Sequence, residues 1–239
     1  MPNALHIMET ENRIFFEGNP YPKGHKLEKV IWSGHLDPEK GIYFDFDLET
    51  EKYYTDDDST DLSDPESDWT SKGVWGNYHR CRISSNEGIL IATDATPLDF
   101  DAFAPRLLTA DKLPNGVNIL PDDWSDDELA FHIYLLGHDT CAEHSINFLG
   151  RNADGSFNID WKGRIALTYG GDYEFNHNFA ATLNNIKFSG IYLPADITTV
   201  EAVEAFKKFV KYPDHFELED LNPKSFKREY KLELKDSYE

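Results

Sequence analysis

The stretch FNIDWKGRIALTYGGDYEFNHNFAATLNNIKFSGIYL, residues 157–193, decides the fold. Four strand-like pieces follow one another in it: Phe157 to Trp161, Arg164 to Tyr169, Tyr173 to Leu183 and Ile186 to Leu193. Two of the junctions have turn chemistry: Gly170-Gly171 takes positive φ without steric cost, and Asn184-Asn185 tolerates the left-handed region. In the longest piece Tyr173, Phe175, His177, Phe179, Ala181 and Leu183 alternate with Glu174, Asn176, Asn178, Ala180 and Thr182. That period of two gives one buried and one wet face, and a one-residue slip would bury Glu174 and Asn176. The pattern predicts an antiparallel meander with a firm register.

Upstream, Asp154-Gly155 is a hairpin dipeptide before Phe157, and Ser145 to Leu149 is a further strand. Leu129 to Leu136 also reads as a strand, since it ends at Gly137 after a length short for a helix. Ser125 to Glu128 fits a capping box that starts a short helical turn ahead of it. Nearer the N-terminus, Glu28 to Trp32 and Ile42 to Leu48 form a hairpin across Asp37 to Gly41, with Ile42, Phe44, Phe46 and Leu48 on one face. Val74 to Ile83 and Ile89 to Ala92 are strand-like, whereas the proline-interrupted run 97–121 has no clear period. Trp32-Ser33-Gly34-His35-Leu36 echoes Trp161-Lys162-Gly163-Arg164-Ile165, a pattern that any strand with a glycine kink also produces.

Downstream the period changes. Thr198 to Glu201 is a second capping box, and Val200, Val203, Phe206 and Phe209-Val210 recur at helical spacing until Tyr212-Pro213. Burial of these side chains, worth about 6 to 10 kcal/mol before entropy, should pack this helix on the sheet. Phe226, Tyr230, Leu232 and Leu234 suggest an edge strand. The fold class expected is α+β, predominantly antiparallel β in a meander or sandwich-like sheet, with one helix of the C-terminal region packed on it. A single domain over residues 1–239 is expected, with two β-rich halves, 1–121 and 122–239, as the alternative.

Charge is the second strong signal. The chain has 44 acidic and 23 basic residues, a formal charge of −21, with 40% apolar and 14% aromatic residues. The apolar content argues for a folded core, and the field disfavours nucleic acid and anionic membranes while attracting basic proteins and cations. From Asp45 to Asp68 there are eleven acids and only Lys52 to offset them. Within this tract Asp56, Asp57, Asp58, Asp61 and Asp64, with Trp69 beside them, and later Asp122, Asp123, Trp124, Asp126 and Asp127, form two candidate partner-binding surfaces: carboxylates steer, tryptophans anchor. The same tracts also read as solvated loops. Eight of the 23 basic residues fall between Lys207 and Lys235.

Cys81 and Cys141 are too few for a disulfide framework, no apolar run reaches spanning length, and no basic and apolar leader pattern opens the chain; a cytoplasmic location is expected. Candidate metal ligands His132, His138, Cys141, Glu143 and His144 fall within thirteen residues, a composition suited to a divalent ion but at no standard spacing. The stretch from His138 to His144 reads as a loop between strands. Carboxylate pairs such as Asp45 and Asp47, or Asp172 and Glu174, are expected by number alone. Nucleophile elbows and phosphate-binding loops are absent from the sequence, and no cofactor is expected. The leading functional expectation is a non-enzymatic acidic binding protein that occludes a basic protein partner, as an inhibitor or toxin-neutralising immunity protein does. A metal-dependent hydrolase centred on His132 to His144, and a structural or oligomeric β-sheet protein, are the alternatives.

Overall fold

The computed structural model describes residues 11–54 and 68–235. In chain order its strands are β1 (Arg13–Phe16), β2 (His25–Asp37) and β3 (Gly41–Thr50). A short helix, α1 (Lys72–Tyr78), comes next, and then β4 (Arg82–Ser85), β5 (Ile89–Ala92) and β6 (Arg106–Ala110). There follow β7 (Phe131–Tyr134), β8 (His138–Arg151), β9 (Phe157–Ala166), β10 (His177–Ile186) and β11 (Phe188–Tyr192). Helix α2 (Thr199–Phe209) and strands β12 (Phe216–Asp220) and β13 (Tyr230–Leu234) complete the order.

The expected antiparallel β-structure is present, and its form is more specific than a meander or sandwich. Eight strands close on themselves in the order β2, β1, β10, β9, β8, β7, β4, β3 and back to β2, every pairing antiparallel. Closure removes the free edges that an open sheet would expose. It is achieved because the long strands share an edge between two neighbours. β2 pairs with β1 at His25 and Lys26, then with β11 from Trp32 to His35 in the one parallel pairing between these strands. β3 pairs with β4 through Asp47 to Glu49 and with β5 through Ile42 to Phe44. β8 meets β7 at His138 and Asp139, then β6 from His144 to Phe148. β12 and β13 extend β11 outward. The ring draws on both sides of Pro121, with β1 beside β10 and β4 beside β7.

Aromatic rings fill the centre, as an eight-stranded barrel leaves room for side chains and little else. Trp32 is fully buried, with Phe148 at 4.9 Å and Phe188 at 4.8 Å between ring centroids. Trp161 lies 5.2 Å from Phe46 and 4.7 Å from Phe131. The two tryptophan-glycine echoes therefore sit in β2 and β9, each with its tryptophan inward.

Several local expectations are corrected. Val74 to Ile83 is not one strand: Ser71 caps α1 by accepting the Val74 N–H at 3.3 Å, and the helix buries Val74 and Trp75 before β4 begins. Phe157 to Ala166 is one strand rather than two, and Tyr173 lies outside β10 and is exposed. β11 leaves the meander to run parallel to β2. α2 has the capping box read from the sequence, Thr198 with Glu201, but turns Ala202, Ala205, Phe206 and Phe209 inward, leaving Val200 in solvent. Phe226 is exposed, and β13 is covered on one side by β12 instead of forming an edge. The stretch His138 to His144 belongs to β8: Gly137 at φ 130° turns the chain tightly enough for its polar residues to enter the ladder. Among the described residues no helix is long and apolar enough to cross a membrane.

Candidate functional site

The site lies at the seam where β8 changes partner from β7 to β6. Between those pairings β8 bulges from Ala142 to Ser145, with Glu143 at φ 56°. β6 ends opposite the bulge, Ala110 against His144, and the next residue, Asp111, also takes a left-handed conformation at φ 52°. Positive φ at an acidic residue is uncommon and is held here by local bonds. Glu143 donates its N–H to the Asp111 carbonyl at 2.9 Å, and its carboxylate accepts the Leu113 N–H at 2.8 Å.

These bonds leave two side chains facing each other across the seam. His144 points inward, ring against Phe131 at 4.8 Å, and is fully buried. Gly163 makes the space: a Cβ there would stand 2.9 Å from His144 Nδ1 and 2.5 Å from the Phe179 ring. Trp161 Nε1–H donates to His144 Nδ1 at 3.2 Å, so in the neutral ring the proton sits on Nε2. His144 Nε2 is 3.6 Å from Asp111 Oδ2 and has no hydrogen-bond partner. Burial pulls the His144 pKa down to about 3, and the ring is uncharged at neutral pH. Burial pushes Asp111 the other way, up to about 6, although both carboxylate oxygens accept the Ala130 N–H, at 3.1 and 3.2 Å.

Asp111 opens onto a hollow of about 200 Å³ that it lines with Trp124, Glu128 and Leu129. Above it the capping box of the sequence is present as a 3₁₀ turn, Asp126–Glu128, with Ser125 and Glu128 exchanging side-chain and backbone bonds. Asn86 pins this turn to the β4–β5 hairpin by donating to the carbonyls of Asp127, at 2.6 Å, and Asp126, at 3.3 Å. Asp122, Asp123, Asp126, Asp127 and Glu128 are exposed and Trp124 is half-buried. Among the described residues no cation forms an ion pair with any of these five acids. They form an acidic shelf that reaches the hollow through Glu128 and Trp124.

The remaining sequence candidates are dispersed. Asp56, Asp57, Asp58, Asp61 and Asp64 lie outside the described residues. Trp69 is buried, donating to the Glu17 carbonyl at 2.9 Å and stacking on His177 at 3.9 Å, so it is a core residue and not a surface anchor. The five proposed metal ligands do not converge. His132 and His138 are exposed and line an outer cleft of about 530 Å³ with Arg80, Arg82 and Tyr134. Cys141 is buried with its thiol pKa pushed up by desolvation, Glu143 is engaged in the bulge, and His144 is in the core. Strand geometry separates them, since a fourteen-residue strand with a bulge cannot gather its side chains as a loop can. Among the described residues no group of three or more His, Cys, Asp or Glu side chains is placed to hold a metal ion.

A larger hollow, about 600 Å³, runs over the outer face of β1, β10 and β9 and includes Phe15, Lys162 and Arg164. Arg164 is committed there to the Asn118 side chain and the Phe175 carbonyl. Size does not decide between the hollows; the smaller one has a buried carboxylate at its base and an unpartnered donor behind it. Asp111 was missed by the sequence reading, since it falls in the run without a clear period and gains its character only from the β6–β8 register. Comparison with family models, with curated proteins and with solved structures finds no match to this chain.

Proposed function

We propose that the protein is a non-enzymatic binding protein that receives a basic protein partner on the shelf Asp122 to Glu128 and occludes it, as an inhibitor or a toxin-neutralising immunity protein does. The observation that carries this reading is a row of five exposed carboxylates, three of them on a capped turn and none with a cationic partner among the described residues, beside a half-buried tryptophan. A flexible acidic loop would lose ordering entropy on docking; one fixed by a capping box and by Asn86 is already arranged. The chain's charge of −21 adds long-range attraction, which speeds encounter and is screened beyond about 10 Å at 0.1 M salt.

The test is a pull-down from the source cell at graded ionic strength with the wild-type chain and with a variant carrying Asp122→Asn, Asp123→Asn, Asp126→Asn and Asp127→Asn. The wild type should retain a basic protein at low salt and release it as salt rises, and the folded variant should fail to retain it. Retention of the same protein by the variant, or no basic protein at any salt, would refute the proposal.

A further inference from the structure

Asp111 is a largely buried carboxylate, its side chain 11% exposed, and among the described residues the basic group within 4.0 Å of it is His144. Buried charges in folded proteins are paired, metal-bound or neutralised, and an uncompensated one is costly. Among the described residues Asp111 and Glu128 are the two carboxylates lining the hollow, and no third ligand joins them to hold a metal ion. Nor is His144 the partner, because desolvation keeps its ring neutral.

The hollow has the dimensions and walls for a group that would supply the charge from outside. About 200 Å³ corresponds to six or seven waters at roughly 30 Å³ each, below the about 300 Å³ at which drug-sized sites begin. It accommodates one side-chain head. An ionised carboxylate offers about four lone-pair positions, of which the Ala130 N–H engages one on each oxygen. Each oxygen thus keeps acceptor capacity on its outer side for an N–H donor. The Trp124 indole lines the same space, and a planar cation is attracted to an indole face. Behind the carboxylate His144 Nε2 stands 3.6 Å from Oδ2 without a hydrogen-bond partner.

We infer that this hollow is a receptor for a single guanidinium group, an arginine head of the basic partner, with Asp111 at its base and Trp124 as its wall. Guanidinium fits better than ammonium because it is planar, presents paired N–H donors, stacks on indole and sheds water more readily. The inference rests on the shelf being the docking face: the shelf steers and the hollow selects.

The experiment uses the full chain and N-acetyl-arginine amide as the probe, followed in ¹H–¹⁵N spectra through the Ala130 amide and the Trp124 indole N–H. Both signals should shift saturably with the arginine amide and not with N-acetyl-citrulline amide, which has the same shape without the charge. Asp111→Asn should weaken binding at least tenfold. Should that variant lose its native spectrum, Trp124→Ala, which removes a half-buried wall residue, should weaken it several-fold. Asp122→Asn with Asp123→Asn should leave binding of this small probe within about twofold, which separates the hollow from the shelf. An absence of saturable shifts, an unchanged affinity in a folded Asp111→Asn or Trp124→Ala variant, or equal binding of citrulline would overturn the inference. Binding of N-acetyl-lysine amide as tight as arginine would overturn the guanidinium assignment. These outcomes are independent of the pull-down: a shelf that captures a partner with an inert hollow refutes only this inference, and a hollow that takes arginine on a chain that captures nothing refutes only the docking face.

Discussion

Replacing Asp111 by Asn should make the protein more stable, and only at high pH. The carboxyl pKa rises from 3.8 to about 6 in the folded chain, with burial as the main cause. Between those values the native state holds a proton that the unfolded state has released, so stability from this group is present at low pH and lost as pH rises through 6. At 1.36 kcal/mol per tenfold change in proton affinity, ionising Asp111 in place costs about 3 kcal/mol, which its opening onto the hollow reduces to about 2 kcal/mol. Asn keeps an acceptor for the Ala130 N–H but not a charged one, which gives back about 1 kcal/mol. The net expectation is a gain of about 1 kcal/mol at pH 8, or a rise of about 2–4 °C in Tm for a chain of this size, and no gain at pH 4. His144 does not reproduce this signature. Its depressed pKa costs stability as pH falls below the unfolded value of 6.5, the opposite direction. Calorimetric melting of both proteins at pH 4 and pH 8 decides the matter: the same shift at both pH values, or a loss at pH 8, would show that Asp111 is not a buried uncompensated charge. A gain would show stability given up at the place where a ligand is argued to bind.

Asp139 offers a control. It is buried, accepts the N–H groups of Leu136 at 2.9 Å and Tyr169 at 3.4 Å, and is pushed up to about 6 by burial. Asp139→Asn keeps one acceptor for two N–H groups, which offsets the relieved charge, so it should show no gain at pH 8 and a loss at pH 4 in melting experiments, while leaving arginine amide binding within twofold; a tenfold loss of binding would place the cation site elsewhere. Gly163→Ala should lower the urea midpoint by the equivalent of about 1–3 kcal/mol with an unchanged slope, because the new methyl meets the Phe179 ring at 2.5 Å and His144 at 2.9 Å. An unchanged midpoint would mean that His144 is not held as tightly as the packing indicates.

The difference between an open sheet and a closed barrel was not legible because strand alternation is the same in both. Phe179, Ala181 and Leu183 point inward in either architecture. Closure depends on pairings remote in sequence, Phe16 with Phe179 and Ile83 with Ile133, which no local period encodes. Local chemistry was read more faithfully: both capping boxes are present, and the turn at Gly170-Gly171 is made, Gly171 at φ 84°. Helical spacing was recognised in α2 but its face was misjudged, because Val200 scores as apolar whereas two small alanines, Ala202 and Ala205, are what let the helix approach. His144 was noticed for its ligand chemistry and not for its partners. Nothing near it in sequence points to Trp161 or Asp111, and both meet it only through β8's two neighbours.

Those two neighbours also explain why a site forms at this seam and why its acid is an aspartate. Where β8 leaves β7 and has not yet met β6, backbone donors next to the gap lose their ladder partners, and a buried N–H left unpaired costs about 1–3 kcal/mol. Two are satisfied by Asp111: its carbonyl takes the Glu143 N–H and its carboxylate takes the Ala130 N–H. A side chain that is short, accepts on both oxygens and tolerates φ 52° meets these demands, and Asp and Asn share the last property. Asn would meet the last demand and supply one acceptor oxygen with no charge to bury, whereas Asp supplies both oxygens. At a hollow beside a row of carboxylates, the ionisable residue also leaves a charge that the proposed cation would meet.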